Sequence, residues 1–198
     1  MEPATLPLFP LSTVLFPGGP LPLRIFEARY LDMVRRGLKD QTPFGVVLIL
    51  TGAESDTDPK VADIGTSARV VDFDTLPDGL LGITCIGERR FRVMRRWQQS
   101  DGLNLGDVEY LPQDAHCTLP AELLHLGELL REVLPKLGGA YMYVDGRYEE
   151  AGWVGNRWAE ILPLSMPERL ELLRLDDPLA RLKQVAAWSG RKTPAAGL

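Results

Sequence analysis

The stretch from Leu6 to Leu38 constrains this chain most, because its prolines and glycines leave the backbone few choices. Leu6 and Leu8, with Leu11 behind them, read as a short strand. Proline has no backbone donor, so Pro7 and Pro10 predict an edge strand or a strand end. Pro17-Gly18-Gly19-Pro20 predicts a tight turn, since glycine reaches positive φ and proline fixes φ. Leu21 to Phe26 reads as a second extended segment. From Phe26 the period changes: Phe26, Tyr30, Met33 or Val34, and Leu38 fall on one helical face. Glu27 falls in the first turn and Arg35, Arg36 and Lys39 in the last, as the helix dipole favours.

Further along, Phe44 to Leu50 is a near-continuous apolar run and predicts a central strand. Thr51 to Lys60 is polar and acidic and reads as an exposed loop. Ile64 to Thr75 is the next strand region, and Pro77-Asp78-Gly79 turns it back into Leu80 to Gly87. Arg89 to Trp97 continues as a strand, turns at Ser100-Asp101-Gly102 and returns as Leu105 to Leu111. After Pro112 the period becomes helical. Leu123, Leu126, Leu130, Val133 and Leu137 predict an amphipathic helix that Pro135 kinks or ends early and Gly138-Gly139 stops. Val154, Trp158, Ile161 and Leu162 are the inward face of a second helix near Glu150 to Leu162. Ser165-x-x-Glu168 is a capping box for a third, which carries Leu170 and Leu173. Asp177-Pro178 supplies the N-cap and first position of a last helix, with Leu179, Leu182 and Ala186 inward.

The order strand, Pro-Gly turn, strand and Glu-x-Arg-Tyr helix resembles the start of the Lon N-terminal domain, the substrate-binding region of Lon proteases. Bacteria also make that domain as a free-standing protein of about this size. The resemblance continues through Phe44-Gly45-Val46-Val47-Leu48, Ile64-Gly65-Thr66, Asp78-Gly79, Gly87-Glu88-Arg89-Arg90-Phe91 and Asp176-Asp177-Pro178-Leu179-Ala180-Arg181-Leu182. It covers nearly the whole chain. Ala28 departs from it, where proline is expected, but alanine is a good helix former. The resemblance implies an α+β fold: an N-terminal β-rich, PUA-like pseudo-barrel with one early helix, followed by a C-terminal helical bundle. The expected division is a β-rich lobe over residues 1–112, a helical lobe over 113–189 and a disordered tail over 190–198.

Composition narrows the function. The 198 residues are 45% hydrophobic, enough for a real core. The net charge of −5 argues against non-specific binding to nucleic acid or anionic membrane. The two cysteines, Cys85 and Cys117, and the start Met1-Glu2-Pro3 without a basic leader suggest a reducing, cytoplasmic setting. No apolar run approaches the roughly 18 residues of a membrane span. The chain has no Gly-Lys pair for a phosphate loop, no two glycines spaced for a dinucleotide turn and no Gly-x-Ser-x-Gly elbow. His116-Cys117 has no second ligand pair at metal spacing, and His125 reads as the polar side of its helix. Cys85 alternates with Leu81 and Ile83 and reads as a small core residue. In Asp176-Asp177, capping already employs one carboxylate. The expectation is a non-enzymatic module without cofactor or metal that binds unfolded polypeptide or a protein partner.

The strongest local anomaly is Arg89, Arg90, Arg92, Arg95 and Arg96. Strand alternation puts Arg90, Arg92 and Arg96 on one face and Arg89, Phe91, Val93 and Arg95 on the other. A solvated face paired across the hairpin with Asp107 and Glu109 is the favoured reading. A basic stripe for an acidic peptide or for RNA is the alternative, since PUA-like folds include RNA binders. Phe26, Tyr30, Trp153 and Trp158 read as core and inter-lobe packing. Glu27 and Arg29 read as an ordinary charged first turn. For a polypeptide ligand, the prolines guard one sheet edge, which leaves another edge or an inter-lobe groove. Arg29, Arg89 and Arg90 are the candidate binding residues, expected to be exposed there.

Overall fold

The computed structural model describes residues 2–54, 56 and 59–189, so the tail expected over 190–198 lies outside the described residues. The order is β1 (Glu2–Leu11), β2 (Pro20–Ile25), α1 (Ala28–Asp40), β3 (Phe44–Thr51), β4 (Lys60–Thr75), β5 (Leu81–Gln98), β6 (Asn104–Tyr110), α2 (Leu124–Leu137), α3 (Ala151–Ile161), α4 (Met166–Arg174) and α5 (Pro178–Ser189). Short 3₁₀ turns at Ala121–Leu123 and Gly139–Tyr143 flank α2. The strands lie in the order β2-β5-β4-β3-β1-β6, and β6 also pairs with β5, so the mixed sheet closes on itself. Among the described residues, β1 and β3 run parallel and the other paired strands antiparallel.

β1 is an inner strand, which corrects the edge position expected from Pro7 and Pro10. Glu2 to Leu8 pair with β6, and Leu8 to Leu11 pair with β3. Apart from Leu8, each half has a ladder on one side only. The other side makes no ladder bond for a missing donor to break, so the prolines are tolerated.

Among the described residues, three apolar clusters form the core. Leu6, Leu8, Val47, Phe91 and Val108 form a small one among the strands. Phe9, Val46, Ala68 and Cys85 join Tyr30, Met33 and Val34 of α1 in a second. Val14, Phe16, Leu48, Ala62, Ile64 and Leu111 join α2 to α5 in the largest. Neighbours such as Val46 and Val47 therefore enter different clusters, as strand alternation requires.

The helices follow the expected order with corrected faces. α1 begins at Ala28, so Phe26 belongs to the link before it and is 67% exposed. Tyr30 stacks on Phe9 with centroids 3.9 Å apart. Leu38 sits in the last turn, past the buried residues, and is exposed. On α2 the buried ridge is Leu126, Leu130 and Leu134, at a spacing of four, while Leu137 is exposed. α2 continues past Pro135 to Leu137, so the proline does not end it early. The Ser165–Glu168 capping box is formed on both sides. Asp177 Oδ1 accepts from the Leu179 amide at 2.9 Å, as an N-cap does.

Two irregularities break the alternation of β5. Thr66 stands opposite Arg90 but Ala68 opposite Gly87, so two residues, Glu88 and Arg89, face Ser67 alone. The Ser67 hydroxyl fills the gap: it accepts from the Arg89 amide and donates to the Arg89 carbonyl. Farther on, Val93 faces Val108 and Arg95 faces Asp107, leaving Met94 unpaired. Val108 and Asp107 are consecutive and point to opposite sides, so Val93 and Arg95 do not share a face as expected.

Candidate functional site

A cleft of about 600 Å³ opens where the barrel meets the helices. Gly18, Arg89 and Arg90 line it from the barrel side, and Trp153, Asn156 and Glu150 from the helical side. Its volume falls within the range of about 300–1,000 Å³ usual for ligand pockets.

The Pro17–Gly19 turn is one seam of this cleft. Gly18 takes φ +73°, a left-handed conformation that suits glycine. The Gly18 amide donates to Gly87 O at 2.7 Å and the Gly87 amide to Gly19 O at 2.9 Å. Arg157 of α3 reaches the turn through Nη2, which donates to Pro17 O at 2.9 Å and to Glu160 Oε1 at 2.7 Å. A Cβ on Gly19 would run into the Glu160 carboxylate, so a larger residue here must displace it. Burial pushes the Glu160 carboxyl up to about 7, against the pull of Arg157 and Arg169.

The floor is a second charged network. Arg90 is buried, and its Nη1 donates to Leu173 O at 2.9 Å and Leu175 O at 3.0 Å at the end of α4. Its Nη2 pairs with Asp176 at 3.1 Å and lies 3.6 Å from Asp114. Arg181 of α5, also buried, holds Asp114 at 2.5 Å and donates to Asn156 Oδ1 at 3.1 Å. Burial, and then the neighbouring Arg181, lower the Arg90 pKa, while Asp114 and Asp176 favour its charged form.

The three candidate residues thus have different surroundings. Arg29 and Arg90 are both buried, which corrects the exposure expected of them. Arg29 lies outside the cleft. It donates to Gly102 O at 2.9 Å and pairs with Glu27 at 2.7 Å, tying the β5–β6 turn to the start of α1. Arg90 lies on the cleft floor with its donors engaged. Arg89 is half-buried on the cleft wall, its guanidinium 4.4 Å from the Tyr110 ring centre. The sequence reading missed Asp114, Asn156, Arg157, Glu160 and Arg181. Arg157 left one signal, a charge in the middle of a helix otherwise short of polar residues.

Other groups are quieter. Cys85 is fully buried, which pushes its thiol up to about 12. Trp153 and Trp158 are core residues, and Trp158 Nε1 donates to Leu126 O at 3.0 Å. Among the described residues no three His, Cys, Asp or Glu side chains are grouped to hold a metal. Among the same residues no helix is long and apolar enough to cross a membrane.

The model of the ATP-dependent protease La (LON) substrate-binding domain matches residues 5–188. A Lon protease of Paraburkholderia phytofirmans is 31% identical over 195 residues, covering 91% of this chain and 23% of its own length. A Lon protease of Anaeromyxobacter dehalogenans is 29% identical over 199 residues, covering 96% of this chain and 23% of its own. The chain spans about a quarter of the length of these relatives. The crystal structure of a Lon N-terminal domain protein from Xanthomonas campestris superposes with a TM-score of 0.76 at 42% identity, over 93% of this chain and 98% of that one. The N-terminal domain of a Mycobacterium avium complex Lon protease shares the fold at a TM-score of 0.68 and 15% identity, over 96% of this chain and 100% of its own.

Proposed function

The chain belongs to the Lon substrate-binding domain family, and on that footing we propose that it recognises extended segments of other polypeptides in the cleft between barrel and helices, without chemistry of its own. The observation that carries this reading is the cleft itself, walled by both lobes and lined by charges of both signs. Strand addition is the less suitable mode here. The ring of strands is closed, and β2, at the end of the strand order, carries Pro20 and Pro22, which lack donors. Arg89 supplies a cleft-wall contact, while Arg90 keeps the floor in place from beneath.

Polypeptide is favoured over RNA by the neighbours of the arginines. Arg92 faces Glu109 and Arg95 faces Asp107 across the ladder, and Arg90 is buried. A phosphate chain gains by releasing counterions along an unopposed basic stripe, and these carboxylates oppose that gain.

The test is fluorescence anisotropy with a labelled, reduced and alkylated unfolded protein. Weak binding is expected, reduced by Arg89→Glu with the melting temperature kept. No binding by the wild type, or equal binding by the variant, would reject the cleft. The same preparation is expected to turn over neither ATP nor casein. Turnover that survives purification and disappears in a point variant would show catalysis.

A further inference from the structure

Tyr143 ends the short 3₁₀ turn Gly139–Tyr143 and lines the helical wall of the cleft. Its hydroxyl crosses to the barrel and donates to Asp72 Oδ2 of β4 at 2.7 Å. The barrel wall runs along β5 from Arg90 to Ile86 and along β4 through Arg69 and Val71. Asp72, opposite Thr84, is the next residue past that wall, so the bond joins the two walls at one end of the cleft. A bulge aims the carboxylate there. Val70 faces Cys85 and Asp72 faces Thr84, which leaves Val71 as the extra residue. Without it Asp72 would share the face of Val70, which packs with Cys85 in the second apolar cluster. The backbone of Tyr143 is held on both sides. Tyr141 and Val144 pack against the largest cluster, and Tyr141 also hydrogen-bonds Glu160. The ring itself is tied at its tip to an exposed carboxylate. Water competes for both partners of such a bond, so the ring swings aside at small cost while the turn stays in place.

We propose that Tyr143, tied to Asp72, is a removable stop at this end of the cleft, so that the cleft takes a polypeptide by its free end. This role rests on the reading of the cleft as a polypeptide site and adds which part of a chain enters it. A chain lying along the cleft meets the ring and the carboxylate together, and continues only when they part. With the bond made, a free end abuts the ring. With the ring swung away, the chain runs on past Asp72, and an internal segment fits as well. An unfolded protein has two ends and many internal segments, so the stop sets how many places on a substrate the cleft can grip.

The experiment measures binding of the full chain to an unstructured Gly-Ser-Leu segment in two settings. The segment is either a free tail on a folded carrier protein, at its N- or C-terminus in turn, or a linker between two copies of that carrier. The wild type is expected to prefer a tail to the linker. Tyr143→Phe removes the donor and Asp72→Ala the acceptor, and each should raise the affinity for the linker roughly two- to tenfold with the melting temperature kept. Asp72→Asn keeps an acceptor for the hydroxyl and should keep the preference. Equal binding of tail and linker by the wild type, a preference that survives Tyr143→Phe and Asp72→Ala, or one lost as fully in Asp72→Asn as in Asp72→Ala would each overturn the stop. Tail binding weakened by Arg89→Glu would leave the cleft itself standing in those cases, and no binding of any tail would remove both.

Discussion

Arg90 closes the end of a helix from a neighbouring strand. Its guanidinium takes the Leu173 and Leu175 carbonyls, which the helix cannot satisfy itself, and shares Asp114 with Arg181. Removing one member of such a buried group leaves the others desolvated and unpaired. Arg90→Ala is therefore expected to lose about 3–5 kcal/mol in urea unfolding, whereas Arg89→Ala, half-buried beside Tyr110, should lose under about 1 kcal/mol. Glu160 makes a prediction of opposite character. Its folded pKa, about 7, lies above the ordinary 4.5, so the folded state holds this proton more tightly than the unfolded one. Its contribution is most favourable at low pH and is lost as pH rises from about 4.5 through 7, by up to about 3 kcal/mol. Unfolding midpoints between pH 5 and 8 should fall accordingly, while Asp63, lowered by its hydrogen bond to Arg174, stays ionised throughout. Glu160→Gln, which keeps a neutral acceptor beside Arg157, should flatten that slope. A slope unchanged in this variant would assign it elsewhere. The sequence displayed Arg90 inside a motif and still hid its burial, because its partners come from α4, the α4–α5 link and the segment after β6.

The elements were legible where a local rule decides them. The Ser165 capping box, the Asp177 N-cap and the Pro-Gly turn each need only neighbouring residues. The β5 bulges were not legible, because a bulge depends on the residue opposite and alternation alone predicts none. Likewise Pro7 and Pro10 suggested an edge or a strand end, and did not reveal that β1 is an inner strand that changes partner halfway. The turn before β2 shows how two adjacent glycines differ. Gly18 serves its backbone conformation, with φ +73°, while Gly19 serves the room occupied by Glu160 and Arg157. Gly19→Ala must displace the ion pair that seats the turn on α3. It is expected to cost about 1–3 kcal/mol, as overpacking does, read as a lowered unfolding midpoint. Gly79→Ala meets open space and strains only its own turn, so it should cost less. Equal losses at both positions would mean that the contact with α3 contributes little.

At the scale of the whole molecule, the lobes expected at residues 1–112 and 113–189 share their largest apolar cluster. Val14, Phe16, Leu48, Ala62, Ile64 and Leu111 pack with Leu130, Val154, Leu172 and Leu182. Hydrophobic periodicity revealed each face that needed cover, though not which faces cover each other. The Arg90 and Arg157 networks cross the same junction. Cutting after Leu111 would remove the cover from those barrel residues and the helix carbonyls from Arg90 together. An exposed apolar area of that kind favours association, and an arginine stripped of its partners adds desolvation cost. The fragment 1–111 is therefore expected to aggregate on size-exclusion chromatography and to lack a cooperative melt. A soluble fragment with a sharp transition would show that the barrel folds without the helices, and the two-lobe division would then be one of stability as well as of shape.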